Sequence, residues 1–379
     1  MLRGTPGNLS AHLRLVAGLA ALMLLAAACG EEAAPEGAGG TPTGGAAVGR
    51  CGDPERLGAT LNFYNWADYI DEKVLEMFEE ECGVRVTMDT YTSNEEMLAK
   101  IQAGNSGYSL VIPTDYTVKI MIEQDLARPL DMENIPNSSN LDPSQLGQYY
   151  DPTNEYSLPY QYSTTGLAYN VTAFDEPPTS WAVLFDQNDH CGESSLLDDQ
   201  YETVGAALVY LGYSWNETSD EAHEKAIDLL LDAKDCVSAF DSANFIGNLA
   251  SGEVVVAEAW GFAAGIARLD NPDVEYVIPE EGGILWQDNF VVPADAPDPY
   301  TAEVFINYML EPDIGALITE YTFGFTPNLK VEPLLSDEYH EIVTEGGIVV
   351  DEAVRERLEP SIRPDARRYS DTYKAVTAG

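Results

Sequence analysis

Hydrophobic positions along this chain switch repeatedly between a period of two and a period near 3.6, and the switches mark the predicted elements. Leu61-Asn62-Phe63-Tyr64-Asn65-Trp66 predicts a strand running into a loop. Residues 71–81 then place Val74, Leu75 and Phe78, with Cys82 just beyond, on one stripe at helical spacing, and Gly83 stops the helix. Val84, Val86 and Met88 return to strand alternation. Ser93-Asn94 caps a helix carrying Met97, Leu98 and Ile101, ended by Gly104. Leu110-Val111-Ile112-Pro113 is a short buried strand, followed by a helix over 116–127. This βαβαβα order predicts a doubly wound sheet covered on both faces. Ligands of such sheets bind at the carboxyl ends of the strands, here Asn65-Trp66 and Thr114-Asp115-Tyr116.

Residues 134–151 keep no period, and 156–170 read as extended. A second α/β region begins at Leu196-Leu197, with helices predicted over 200–212 and 219–234. Val254 to Trp260 predicts a buried strand ending in an aromatic. The stretch 280–293, EEGGILWQDNFVVP, has two glycines followed by two apolar triplets of strand character. An extended backbone puts Trp286 and Asp288 on the same face. An indole face beside a carboxylate suits a desolvated ammonium ion, through cation–π contact and a charge-assisted hydrogen bond. The competing expectation is a core tryptophan followed by an Asp-Asn turn. Helices over 300–310 and 312–321 and a final arm over 351–376 complete the pattern.

The N-terminus changes the picture from a plain two-region enzyme-like chain to an exported one. Arg3 and Arg14 precede a Leu/Ala-rich run ending Ala26-Ala27-Ala28-Cys29, shorter than the ~20 apolar residues of a membrane span. Small residues before a cysteine look like a lipoprotein cleavage site, with Ala26 where leucine is usual, so 1–28 is expected to be a signal and Cys29 the lipidated residue, a plain secretory signal being the alternative. Residues 29–56 read as a flexible Gly/Ala/Pro/Thr-rich tether. The four remaining cysteines in an exported chain suggest two disulfides, with three possible connectivities. Cys51–Cys82 and Cys191–Cys236 are favoured because each pair falls within one predicted lobe. Metal binding is not expected, since no CxxC occurs and the histidines are scattered.

About 320 residues follow the tether, enough for two lobes. With 19 Lys and Arg against 64 Asp and Glu the net charge is −45. Such a field excludes nucleic acid and anionic membrane as direct partners and attracts cationic solutes, although acidic surfaces also serve solubility alone.

Candidate chemistry is acidic and aromatic. Asp199 and Glu202 lie three apart at a helix start, so both carboxylates can share its first turn; the same spacing is a capping box. Trp66, Tyr69, Tyr116, Trp260 and Trp286 all fall at predicted strand ends or the loops after them. One such aromatic would be core, but five at one edge can wall a solute site. No GxSxG, HExxH or Walker A sequence is present. Paired carboxylates leave a glycoside-cleaving hydrolase open as an alternative.

These residues sit in blocks that resemble the polyamine (spermidine/putrescine) solute-binding proteins of ABC importers. The blocks run from about Leu61 to the C-terminus: FYNWADYI, YTSNEEMLAKI, LVIPTDY, SNLDP with YSLPY, LLDDQYETVGAALVYLGYS, EGGILWQD and Thr326-Pro327-Asn328. The resemblance implies a two-lobed α/β periplasmic-binding-protein-like fold (type II), with lobe 1 in 57–163 plus 287–332 and lobe 2 in 164–286 plus 333–379. It assigns the cleft to Trp66, Asp68, Tyr69, Thr114, Tyr116, Asp199, Glu202, Trp260, Trp286 and Asp288. Two departures stand out: Gly324 replaces a frequent tyrosine, and Ala263 replaces an aspartate of putrescine-selective members. The missing aspartate, with Asp199 and Glu202 both present, leans toward spermidine over putrescine. The implied molecule is a monomeric, lipid-anchored, non-enzymatic receptor on the outer side of the membrane, needing no cofactor and delivering a polyamine to an ABC permease. A sugar or peptide receptor of the same fold is the other alternative.

Overall fold

Local capping residues set the elements of the first half of the computed structural model, which describes residues 49–186 and 189–378. The expected signal, tether start and Cys29 lie outside those residues. Strand β1 (Thr60–Trp66) leads to α1 (Glu72–Cys82), where Asp71 accepts a hydrogen bond from the Lys73 amide and Gly83 ends the helix at φ 71°. Then follow β2 (Arg85–Tyr91), α2 (Asn94–Gln102) capped by Ser93, β3 (Leu110–Val111) and α3 (Asp115–Glu123). The long strand β4 (Ser157–Asn170) carries the chain into the second half.

The second half holds α4 (Ala182–Phe185), β5 (Ser194–Leu196), α5 (Gln200–Tyr210), α6 (Asp220–Lys234), β6 (Ala239–Phe240), α7 (Phe245–Ser251) and β7 (Val256–Trp260). After α8 (Gly261–Asp270) and β8 (Val274–Val277), the chain returns through β9 (Gly283–Val291) to α9 (Pro299–Met309) and α10 (Pro312–Thr322). It ends in α11 (Asp337–Glu345), α12 (Glu352–Arg355), β10 (Leu358–Pro360) and α13 (Ala366–Thr377). The Asp288-Asn289 pair lies inside β9, so the turn that the sequence allowed there does not form. The expected single arm over 351–376 is broken into a helix, a strand and a second helix.

Among the described residues the strands form one ten-stranded sheet in the order β2-β1-β3-β9-β4-β7-β5-β6, with β10 beside β9 and β8 beside β4. Parallel strands flank each end, while β4 and β9 run antiparallel through the middle and belong to both halves. Side-chain alternation feeds two apolar layers: Leu61 and Phe63 join Phe78, Phe305 and Ile306, whereas Tyr64 joins Tyr91, Met97 and Met121. The second half buries Trp181, Trp215 and Tyr369 in one layer and Phe245, Tyr276 and Phe323 in another. Phe323 and Val331, expected in the first lobe, pack in this second set because the end of α10 lies against α8 and α11.

Two disulfides, Cys51–Cys82 and Cys191–Cys236, each close a segment within one half. Arg50 pairs with Glu81 and Asp313, and Arg56 stacks 3.7 Å over the Tyr300 ring, so residues 50–56 are fastened where the sequence predicted tether.

Candidate functional site

Asp288 projects from the middle of β9, opposite Gln161 of β4. It is 4% exposed, and its Oδ1 accepts a 2.7 Å hydrogen bond from the Thr114 hydroxyl. Thr114 is the N-cap position of α3 and is itself held by Asn94, whose Nδ2 donates to its hydroxyl at 2.9 Å. Thr114 therefore aims at Asp288 and orients it. The Tyr69 hydroxyl lies toward the same carboxylate but makes no well-formed hydrogen bond. Burial pushes the Asp288 carboxyl up to about 7, with Thr114 and Tyr69 offsetting part of that rise.

An aromatic cluster continues from this corner into the second half. Phe262, at the start of α8, sits 6.1 Å from Tyr69, 5.9 Å from Trp260 and 6.0 Å from Trp286, measured between ring centroids. Phe262 joins three of the five aromatics singled out by position, and sequence reasoning missed it because it lies inside a helix. Trp286 donates from Nε1 to the Thr165 hydroxyl at 3.3 Å. Trp66 stands apart: its Nε1 donates to the Ile112 carbonyl, and its ring packs 4.5 Å from Tyr91.

Asp199 and Glu202 divide their roles. Asp199 caps α5, accepting from the amides of Tyr201 at 2.8 Å and Glu202 at 3.1 Å. Glu202 does not reach back to complete a capping box. It is 6% exposed against Thr165 and Trp260, and its Oε2 has no hydrogen-bond partner. Burial first, then the Asp199 charge, pushes it up to about 8. Among the described residues neither Glu202 nor Asp288 makes an ion pair, and no cluster of His, Cys, Asp and Glu could hold a metal.

Arg363, from the segment between β10 and α13, lies between Tyr116 and Tyr201. Its guanidinium lies 3.9 Å over the Tyr116 ring and 4.4 Å over the Tyr201 ring. It donates to the Tyr116 hydroxyl at 2.6 Å and pairs with Glu95 at 3.3 Å and Asp199 at 3.4 Å. Burial alone would lower its pKa; Tyr116, Asp199, Glu95 and Glu202 more than offset that, so it stays charged. No sequence pattern flags this residue, because its partners lie 162 or more positions away.

Two further expectations meet the structure here. Asp68 is exposed at φ 53° and borders a groove with Leu269, Tyr321 and Tyr339, a groove that Asp288 does not line. Space freed at Gly324 is taken by Gln161, whose Oε1 would lie 2.0 Å from an added Cβ and which accepts from Thr322 at 2.7 Å. The missing tyrosine therefore leaves no vacancy. The Gln161 Nε2 and Ser163 Oγ, buried on β4, are also without partners.

Residues 73–343 match a family described as bacterial extracellular solute-binding protein. A spermidine/putrescine-binding periplasmic protein of Escherichia coli K12 is 39% identical over 282 residues, covering 74% of this chain and 80% of its own. A putrescine/cadaverine-binding protein of Pseudomonas aeruginosa is 35% identical over 79% of this chain and 87% of its own. Among solved structures, the spermidine/putrescine ABC transporter substrate-binding protein of Streptococcus pneumoniae superposes with a TM-score of 0.73 at 32% identity, covering 85% of this chain and 99% of that one.

Proposed function

The chain belongs to the bacterial extracellular solute-binding proteins, alongside the polyamine receptors of ABC transporters, and from that premise we propose that it encloses a polyamine between its two lobes and presents it to a membrane permease. The observation that carries this reading is the pair Asp288 and Glu202: two buried carboxylates, one from each half, with no cation of the chain bonded to either. A buried acid without a partner costs free energy that a bound ammonium ion would recover. Buried polar atoms at Glu202, Gln161, Ser163 and Tyr69 without a partner in the chain support the same reading, since a bound amine could supply hydrogen bonds to such groups. Tyr69, Phe262, Trp260 and Trp286 would enclose the methylene spacers and offer their faces to the charges.

Export with lipidation at Cys29 would hold this receptor beside its permease. The lean toward spermidine over putrescine takes Asp199 and Glu202, with the other two assigned acids Asp68 and Asp288, as free to bind ammonium groups. Asp199 is engaged by Arg363 and Asp68 is exposed, so two carboxylates remain and that argument loses its support.

Thermal shift against spermidine, putrescine, maltose and a peptide mixture tests the class. A ligand at 100 times Kd adds about 2.7 kcal/mol of stability. Stabilisation by an amine alone is the expected result; a shift with maltose or peptide and none with amines would replace the reading with another receptor of this fold.

A further inference from the structure

Arg363 stands where the polyamine reading places an amine: between two tyrosine faces and beside a carboxylate, two of these three groups being ones the resemblance assigns to the ligand. Building on that reading, we infer that Arg363 is a specificity-determining residue, a cation of the chain's own that fills one end of the cleft and leaves a site matched to a diamine and closed to a triamine.

Three observations carry this. The first is placement. The Arg363 side chain is 7% exposed, and its backbone is held at φ 44°, a conformation that non-glycine residues seldom adopt. Strain of this kind persists only where surrounding structure enforces it. Here the Arg363 amide donates to the Tyr201 hydroxyl at 3.4 Å while the guanidinium is fixed by Tyr116, Glu95 and Asp199.

The second is charge. Arg363 neutralises the Asp199 end, so of the four acids the resemblance assigns to the cleft only Asp288 and Glu202 are both buried and without an ion pair, two charges for two ammonium groups. Asp115 and Glu258, also buried, are pushed well above the usual carboxylate range. Asp115 accepts from the Tyr116 amide, and Glu258 accepts through Oε2 from the Leu197 amide and the Thr203 hydroxyl while its Oε1 has no partner.

The third is length. Asp288 pairs across from Gln161, and Glu202 lies against Thr165. Those positions are four residues apart on β4, about 13 Å at ~3.3 Å per residue. A four-carbon diamine separates its nitrogens by about 6 Å. With a hydrogen bond of ~2.9 Å at each end it spans roughly 12 Å. A further three-carbon arm adds about 5 Å. Extended past Glu202, its ammonium meets Arg363, and like charges repel strongly where water is excluded. Extended the other way, the one remaining acid that the resemblance assigns is Asp68, which is exposed and repays little.

Calorimetry with putrescine and spermidine on the wild type, Arg363→Asn and Arg363→Lys tests the inference. Asparagine tolerates the left-handed backbone, and lysine keeps the cation. The wild type should bind putrescine at least as tightly as spermidine. Arg363→Asn should shift the ratio toward spermidine by tenfold or more, and Arg363→Lys should keep the wild-type order. An unchanged ratio in Arg363→Asn overturns the inference, as does equal weakening of both amines, which would make Arg363 a latch between the lobes. A wild type that prefers spermidine tenfold overturns it as well. If neither amine binds any of the three while each melts cooperatively, the polyamine reading itself fails and this inference falls with it.

Discussion

Two acidic corners of the candidate site are built from the same kinds of residue and reach opposite electrostatic states. At one corner Asp288 faces Thr114 and Tyr69, neutral groups that orient the carboxylate without cancelling its charge. At the other, Asp199 and Tyr116 close around Arg363, so the carboxylate is already paired. Sequence spacing makes Asp199 and Asp288 equivalent candidates for an ammonium ion; the structure pairs Asp199 with Arg363 and leaves Asp288 with a neutral hydrogen-bond donor, Thr114. A count of acids in a cleft therefore says little until the chain's own cations have been placed beside them.

The sharpest break in that comparison comes from Asp288→Asn. It should weaken putrescine binding by about 2–4 kcal/mol, since it removes the charge partner of a desolvated ammonium ion. Without ligand the variant should melt no lower than the wild type at pH 8, because a buried acid that resists ionisation has been removed. Unchanged affinity with a loss of stability would make Asp288 a purely structural residue.

A nearly comparable effect should appear with pH. Both free acids titrate above the ordinary carboxylate range, Asp288 at about 7 and Glu202 at about 8. In the empty protein a raised value means the stabilising contribution is complete below about pH 4 and is lost as pH rises through 7 to 8. Amine binding needs both groups ionised, so it should release protons and tighten between pH 6 and 8, by about tenfold per unit for each group still protonated. Calorimetry in buffers of differing ionisation enthalpy reads the protons directly. Affinity that is flat over this range would mean that neither acid touches the ligand.

Asp199→Asn sharpens the contrast from the paired corner. Asparagine keeps the helix cap, and the amine does not use Asp199, so putrescine affinity should change by less than about 1 kcal/mol. A loss as large as that of Asp288→Asn would return Asp199 to the ligand and make the two corners alike after all. The smallest effect is kinetic. With a net charge of −45, amine association should slow as salt rises, because steering is screened beyond about 8 Å at physiological ionic strength. Stopped-flow rates that ignore salt would assign the surface acids to solubility alone.

The readable parts of this molecule are those whose cause is local. Helix starts at Asp71, Ser93 and Asp199, the αL stop at Gly83, and the alternation that puts Leu61 and Phe63 on one face and Tyr64 on the other follow from a few neighbouring residues. The same local logic brought Trp66 and Trp260 to strand ends and Tyr69, Thr114 and Tyr116 to the segments just after strands, whereas Trp286 lies within β9. Tertiary structure decided what those residues do. Thr114 turned to Asp288, Trp66 spent its indole N–H on Ile112, and Gln161 filled the space at Gly324, each through a partner at least 46 positions away. Arg363 is the extreme case, reaching Glu95 across 268 positions. Periodicity and capping act over one or two turns of chain, so they determine elements and faces. Which charge meets which depends on packing that brings distant segments together, and no local pattern encodes it.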